Sequence, residues 1–208
     1  MRSYNLSIWP MQIVAYLLGL IAIGSQFARV KEAPRLAWGI LGFFWVWTGI
    51  AYHILHFSLI NRAAYGFGIL FVLEGILFWW VCATQPDIRV HPERNLCSLV
   101  GGVFILYAML LYPLIGAWSG HGYPFWPGFG VTPCPTAIFT FGLLLWVKQR
   151  VPLNLLAIPF LWSLLGFSAA MSFGMREDYG LLIAGLVTGM LALWQHRSPI
   201  QSARQARA

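Results

Sequence analysis

Apolar positions in this chain come in unbroken runs, not in alternation. Stretches such as "LLGLIAIG", "GILFVLEGILFWWV" and "FTFGLLLWV" are apolar on consecutive residues. A membrane β-barrel needs a two-residue period with polar inward positions, so these runs predict helices buried on every side, either in lipid or in a core. Charged or Pro/Gly-rich breaks divide them into seven segments, at 10–28, 37–57, 64–84, 96–118, 131–147, 152–172 and 179–195. Each approaches the roughly 20 residues that cross a bilayer as a helix satisfying its own backbone hydrogen bonds. The fold expected is all-α and integral to a membrane, one transmembrane domain over 1–208 with a basic tail at 196–208.

Composition agrees with the pattern. The 208 residues are 59% hydrophobic, 16% aromatic and 9% charged, against roughly 25% charged in soluble domains. Orientation follows from Lys and Arg. With the N-terminus outside, Arg29, Lys31, Arg35, Arg89, Arg94, Lys148, Arg150, Arg197, Arg204 and Arg207 fall inside and only Arg2, Arg62 and Arg176 fall outside, in every loop the positive-inside sense. The net charge of +7 is then the cytoplasmic rim of a bundle that meets the lipid bilayer; nothing resembles a nucleic-acid module. The first segment lacks a strongly basic leader and a small-residue cleavage site, so it is expected to stay as the first helix.

The third and seventh segments echo each other. At an offset of 114, "RAAYGFGILFVLEGILFWW" from Arg62 matches "REDYGLLIAGLVTGMLALW" from Arg176 at Arg, Tyr, Gly, Ile, Gly, Leu and Trp positions. A true repeat would make the bundle 3+1+3, two three-helix units in parallel orientation with a site between them. The same offset sets Glu74 opposite Thr188.

Glu74 is the single carboxyl well inside a segment, about 15 Å along the third helix from Ala64 and so near the midplane. A charge there costs about 2.5 kcal/mol or more, so the side chain must face the bundle interior, be paired or stay protonated. Two readings stay open: a neutral interhelical hydrogen bond, or substrate binding or proton coupling with Tyr52 and Thr188 as companions. His53 and His56 are three apart, the spacing of one helix face at the outer end of the second segment. They suit metal ligation, and equally an interfacial pair beside Tyr52 and Trp47.

The stretch "GHGYPFWPGFGVTPCPTAIF", 120–139, concentrates four prolines beside glycines and a thiol. Pro133 and Pro135 lack N–H groups where a helix begins and needs none. Thr132 is placed to cap that helix, and Cys134 falls in its first turn, where the helix dipole favours a thiolate. The preceding residues read as an outer loop, re-entrant or lid-like, with Tyr123, Phe125, Trp126 and Phe129 at headgroup depth. Topology puts His53, His56, His121 and Cys134 on the outer face, a set suited to a transition metal such as Zn or Cu. No tight metal motif supports it. Cys82 and Cys97 fall at the opposite, reducing face as small core residues, too far from Cys134 for a disulfide.

At "YGFGILFVLEGILF", "LLYPLIGAWSGHGYPFWPGFGVTPCPTAIFTFGLLL" and "IPFLWSLLGFSAA" the chain resembles a family of uncharacterised bacterial multi-pass membrane proteins with a GVTPCPT signature. The resemblance runs from the second segment to the seventh. It implies a bacterial inner-membrane location and supplies no reaction.

The function these residues favour is a small permease, or a solute- or metal-ion-binding protein, with an outer vestibule and a midplane carboxylate. One alternative is a membrane-embedded metal-dependent hydrolase or redox protein. Against it, Asp87 and Asp178 both fall in loops, which leaves no intramembrane Ser/His/Asp triad; haem ligation has no motif. The other alternative is an accessory subunit of a membrane complex, and self-association into a homo-oligomer is compatible with all three.

Overall fold

The computed structural model describes residues 1–27, 33–85 and 88–197. Arg29, Lys31, Asp87 and residues 198–208 of the basic tail, with Arg204 and Arg207, lie outside the described residues. Nine α-helices order the described chain: α1 (Arg2–Ser7), α2 (Met11–Ser25), α3 (Ala33–Trp47), α4 (Ala64–Thr84), α5 (Leu96–Leu106), α6 (Tyr112–Trp118), α7 (Pro133–Leu145), α8 (Leu153–Phe173) and α9 (Tyr179–Arg197). No strand occurs among the described residues; Val90 and Val147 form one isolated antiparallel bridge.

Four helical stretches are long and apolar enough to cross a membrane: Arg35–Leu59, Ala64–Thr84, Leu96–Trp118 and Arg176–Arg197. Met11–Ser25, Pro133–Leu145 and Leu153–Ser168 are shorter apolar helices. Helices therefore occupy all seven segments that hydropathy marks. Two of them change pitch on the way: α3 runs on into a π-helical segment, Thr48–Ile54, and α5 joins α6 through another, Tyr107–Leu111. Such wide turns occur mostly where a site needs a side chain re-aimed.

α7 forms the axis. From Pro135 to Leu145 every residue is buried, and α3, α5, α8 and α9 surround it. Thr132, Thr136 and Thr140 lie one turn apart on it and turn their hydroxyls back onto the carbonyls four residues earlier. The Thr140 hydroxyl also accepts the Trp45 indole N–H at 2.9 Å. A helix wrapped by other helices needs no apolar stripe, which is why its sequence carries no helical period.

Glycine sets the closest approach, between α3 and α4. A Cβ at Gly75 would stand 2.7 Å from the Gly42 carbonyl oxygen, and one at Gly42 2.9 Å from that of Gly75; Gly49 and Gly68 face each other in the same way, at 2.8 and 2.9 Å. Two such pairs seven residues apart lock antiparallel helices at a separation that side chains would forbid. Gly101 and Gly142 repeat the device between α5 and α7.

The connections gather at two ends. At one, the Tyr4 hydroxyl donates to the Val131 carbonyl at 2.5 Å and the Asn5 amide donates to the carbonyls of Pro124 and Trp126. This explains α1, which hydropathy does not predict: its Tyr4 and Asn5 are buried against the 124–131 segment. Burial also pushes the Tyr4 phenol well above its ordinary pKa. At the other end His91 meets the Gln26 carbonyl, Lys148 N–H donates to Arg89, and Val151 N–H donates to the Gln195 side chain.

Candidate functional site

At the end holding α1, polar groups from four parts of the chain converge. Arg176–Asp178 form a short 3-10 turn that leads into α9, so Glu177 and Asp178 sit at a helix N-terminus, where the backbone dipole favours negative charge. Both are buried. His121, from the loop after α6, brings Nδ1 to 2.9 Å from Glu177 Oε1 and keeps 32% of its side chain exposed. Gly116 lies beside that carboxyl, where a Cβ would be in ordinary contact with Oε1 at 3.5 Å. Glu177 Oε2 has no partner among the described residues.

Asp178 is held differently. Tyr112, from the first turn of α6, donates its hydroxyl to Oδ1 at 2.5 Å, and the Cys134 thiol lies within hydrogen-bonding reach of the same carboxyl. Tyr107 donates to the Glu177 backbone carbonyl at 2.8 Å. The π-helical segment at 107–111 separates Tyr107 from Tyr112 so that both reach the acidic turn. Cys134 thus sits in the first turn of α7 as expected, but with its thiol directed at a carboxyl. Thr132 does not cap the helix. Its hydroxyl donates to the Gly128 carbonyl at 2.9 Å instead.

Aromatic rings close the far side. Trp162 of α8 borders the Cys134 thiol, and its ring centre lies 5.2 Å from His53 and 5.0 Å from Phe71. Tyr52, from the other π-helical segment, lies near Cys134 and Asp178. Tyr52 and Cys134 are both half-buried.

A sequence profile for a family of unknown function, DUF6064, matches residues 1–203. The chain belongs to the DUF6064 family. The match begins at the N-terminus and so takes in α1 and α2, beyond the reach of the motifs quoted from the sequence. No curated protein and no solved structure matches.

For this DUF6064 chain the four ligands expected of a metal do not assemble. His53 is fully buried among the rings of Phe71, Trp162, Tyr52, Phe57 and Phe67, and neither ring nitrogen has a partner among the described residues. His56 turns the other way, to the Ala51 carbonyl at 2.7 Å and the Ser7 hydroxyl at 3.2 Å, with its ring against Tyr4. The expected shared face fails because the backbone passes from π-helical to 3-10 winding between 54 and 57, and the 3.6-residue spacing no longer applies. His121 and Cys134 go to different carboxyls. Among the described residues no three His, Cys, Asp or Glu side chains are grouped to hold a metal ion.

Glu74 is buried on the face of α4 that carries Phe71, Phe78 and Val81, and neither carboxyl oxygen has a partner among the described residues. Thr188 is buried too, its hydroxyl likewise unpartnered. Neither side chain lines the groove along α9, the cleft between α4 and α8, or the groove at the start of α5. The outer loop also departs from expectation. Tyr123 and Phe125 are exposed, but Phe129 is in the core against Phe44, Phe139 and Tyr16. Residues 127–132 are buried, so the chain dips inward before α7 starts.

Sequence reasoning missed Glu177, Asp178, Tyr107, Tyr112 and Trp162. The signal was present in the internal echo: opposite Glu177 and Asp178 the third segment has Ala63 and Ala64. Two of only six acidic residues stand side by side at that position, and grouping them with loop residues hid them.

Proposed function

We propose that this chain is a small bacterial inner-membrane permease or solute-binding protein of seven spans, N-terminus outside and C-terminus cytoplasmic, which takes a small cation at the Glu177–Asp178 turn. Glu74 then serves as a deeper carboxyl that accepts the cation or a proton. One observation carries the reading: two adjacent carboxyls are buried at the end that holds α1, and one oxygen of Glu177 has no partner among the described residues. Burying such a pair costs several kcal/mol unless positive charge offsets it. His121 is within reach of only one of them. A bound cation supplies the rest, and the faces of Tyr52, Tyr112 and Trp162 suit an organic ammonium better than a strongly hydrated ion.

Flux into liposomes tests it. Purified protein would be reconstituted and challenged in separate runs with gradients of methylammonium, sodium and potassium. At least one should give saturable uptake, most strongly methylammonium, and Asp178→Asn should reduce it tenfold or more while eluting as wild type does on size exclusion. No uptake of any of the three by wild type, or an unaltered Asp178→Asn, rejects the permease reading. Methylammonium binding without uptake leaves solute binding as the function.

A further inference from the structure

The flank of α9 that faces away from the bundle carries a groove of about 470 Å³. Leu186, Gly189, Met190, Leu193, Trp194 and Arg197 line it, and Phe160 of α8 forms its wall. These α9 positions recur at three- and four-residue intervals, so they make one continuous stripe along the helix. From Leu186 to Arg197 the stripe is about 16 Å long, close to half of the ~30 Å hydrocarbon core. Gly189 opens the groove. With no side chain there, the Phe160 ring stands clear, whereas a Cβ would lie 3.1 Å from it. The lining is almost wholly apolar, with one charge at one end.

We propose that this groove holds one acyl chain of an anionic phospholipid, with its phosphate at Arg197. The apolar stripe matches a chain in length and polarity, and a guanidinium at its end is the group that pairs with a phosphate in two hydrogen bonds. A second cation lies at the same end of the molecule. Arg150 precedes Val151, which is tied to the last turn of α9 through Gln195 and His196, and the Arg150 Nε is buried with no partner among the described residues. In the proposed orientation this end faces the cytoplasmic leaflet, where anionic lipids concentrate. The groove's charge at one end does not depend on that orientation, nor on any transport activity.

Native mass spectrometry of the full chain in mixed micelles, with phosphatidylglycerol and phosphatidylcholine of matched chains, reads the site directly. Wild type should retain phosphatidylglycerol about fivefold better, the effect of one nearby cation. Arg197→Gln should erase that preference. Gly189→Leu, which fills the groove, should lower retention of both lipids; should it not fold, Leu193→Gln on the exposed stripe replaces it with the same expected loss. Arg94→Gln, which removes a charge on another side of the same end, should change nothing. The proposal is overturned if wild type shows no preference, if Arg94→Gln and Arg197→Gln act alike, or if the groove variants keep both lipids. Loss of a dimer in the groove variants, with lipid retention unchanged, would assign the face to a second copy instead.

Discussion

Replacing Gly75 by Ala tests the packing of α3 on α4 with one added methyl. That Cβ would stand 2.7 Å from the Gly42 carbonyl oxygen, 2.6 Å from Val46 Cγ2 and 3.0 Å from the Val46 backbone nitrogen. Two of the three obstacles are backbone, so no rotamer change relieves them. Restoring an ordinary contact of 3.4 Å requires 3.4 − 2.7 = 0.7 Å of separation between the helices. Overpacking of this kind costs about 1–3 kcal/mol. For a chain of this size that lowers the melting temperature by about 3–9 °C. Gly66 on the same helix is the control, because nothing lies within 4 Å of a Cβ built there. Gly66→Ala should hold or raise stability by up to about 1 kcal/mol, since alanine is the better helix former. The assay is thermal unfolding in detergent followed by tryptophan fluorescence, with both variants and wild type in the same buffer. Equal melting temperatures for Gly75→Ala and Gly66→Ala would refute the argument that backbone contact sets the α3–α4 separation.

Three other outcomes follow from the site. His121→Ala removes the partner of a buried carboxyl and should cost about 1–2 kcal/mol, the histidine being partly exposed, whereas the double variant with Glu177→Gln should recover part of that loss; a denaturation series on the four proteins measures the coupling. Tyr112→Phe leaves Asp178 without its 2.5 Å donor and should cost about 2 kcal/mol, with Cys134 reacting faster with maleimide once the turn loosens; an unchanged labelling rate counts against the linkage. Glu74→Met substitutes an apolar chain of similar length for a carboxyl with no partner among the described residues, so it should raise the melting temperature by a few degrees while abolishing flux. A fall in melting temperature would mean that Glu74 has a stabilising partner.

Most of the helical organisation was legible because lipid and protein interior make the same demand on a backbone, and long apolar runs meet it only as helices. The 64–84 and 96–118 segments appear at their expected bounds. Glu74 was legible as a buried carboxyl for the same reason. The candidate site was less so. Asp178 falls in the loop just before the 179–195 segment, and its partners Tyr112 and Cys134 are 66 and 44 positions away in sequence. The π-helical winding that parts His53 from His56 leaves no mark in a pattern read at 3.6 residues per turn. α1 escaped for another reason: six residues with two buried polar side chains carry no hydropathy signal, and its burial depends on the 124–131 segment reaching it.

What the sequence alone determined is where helices form and which ends of them carry charge, since both depend on transfer of individual side chains and backbone groups from water. Which polar groups meet was left to the tertiary structure. Helix rotation about each axis, set by glycine contacts such as Gly42 with Gly75 and by the change of pitch at 48–54 and 107–111, decides whether a side chain points at a neighbour or away, and a rotation of this kind costs nothing that hydropathy records.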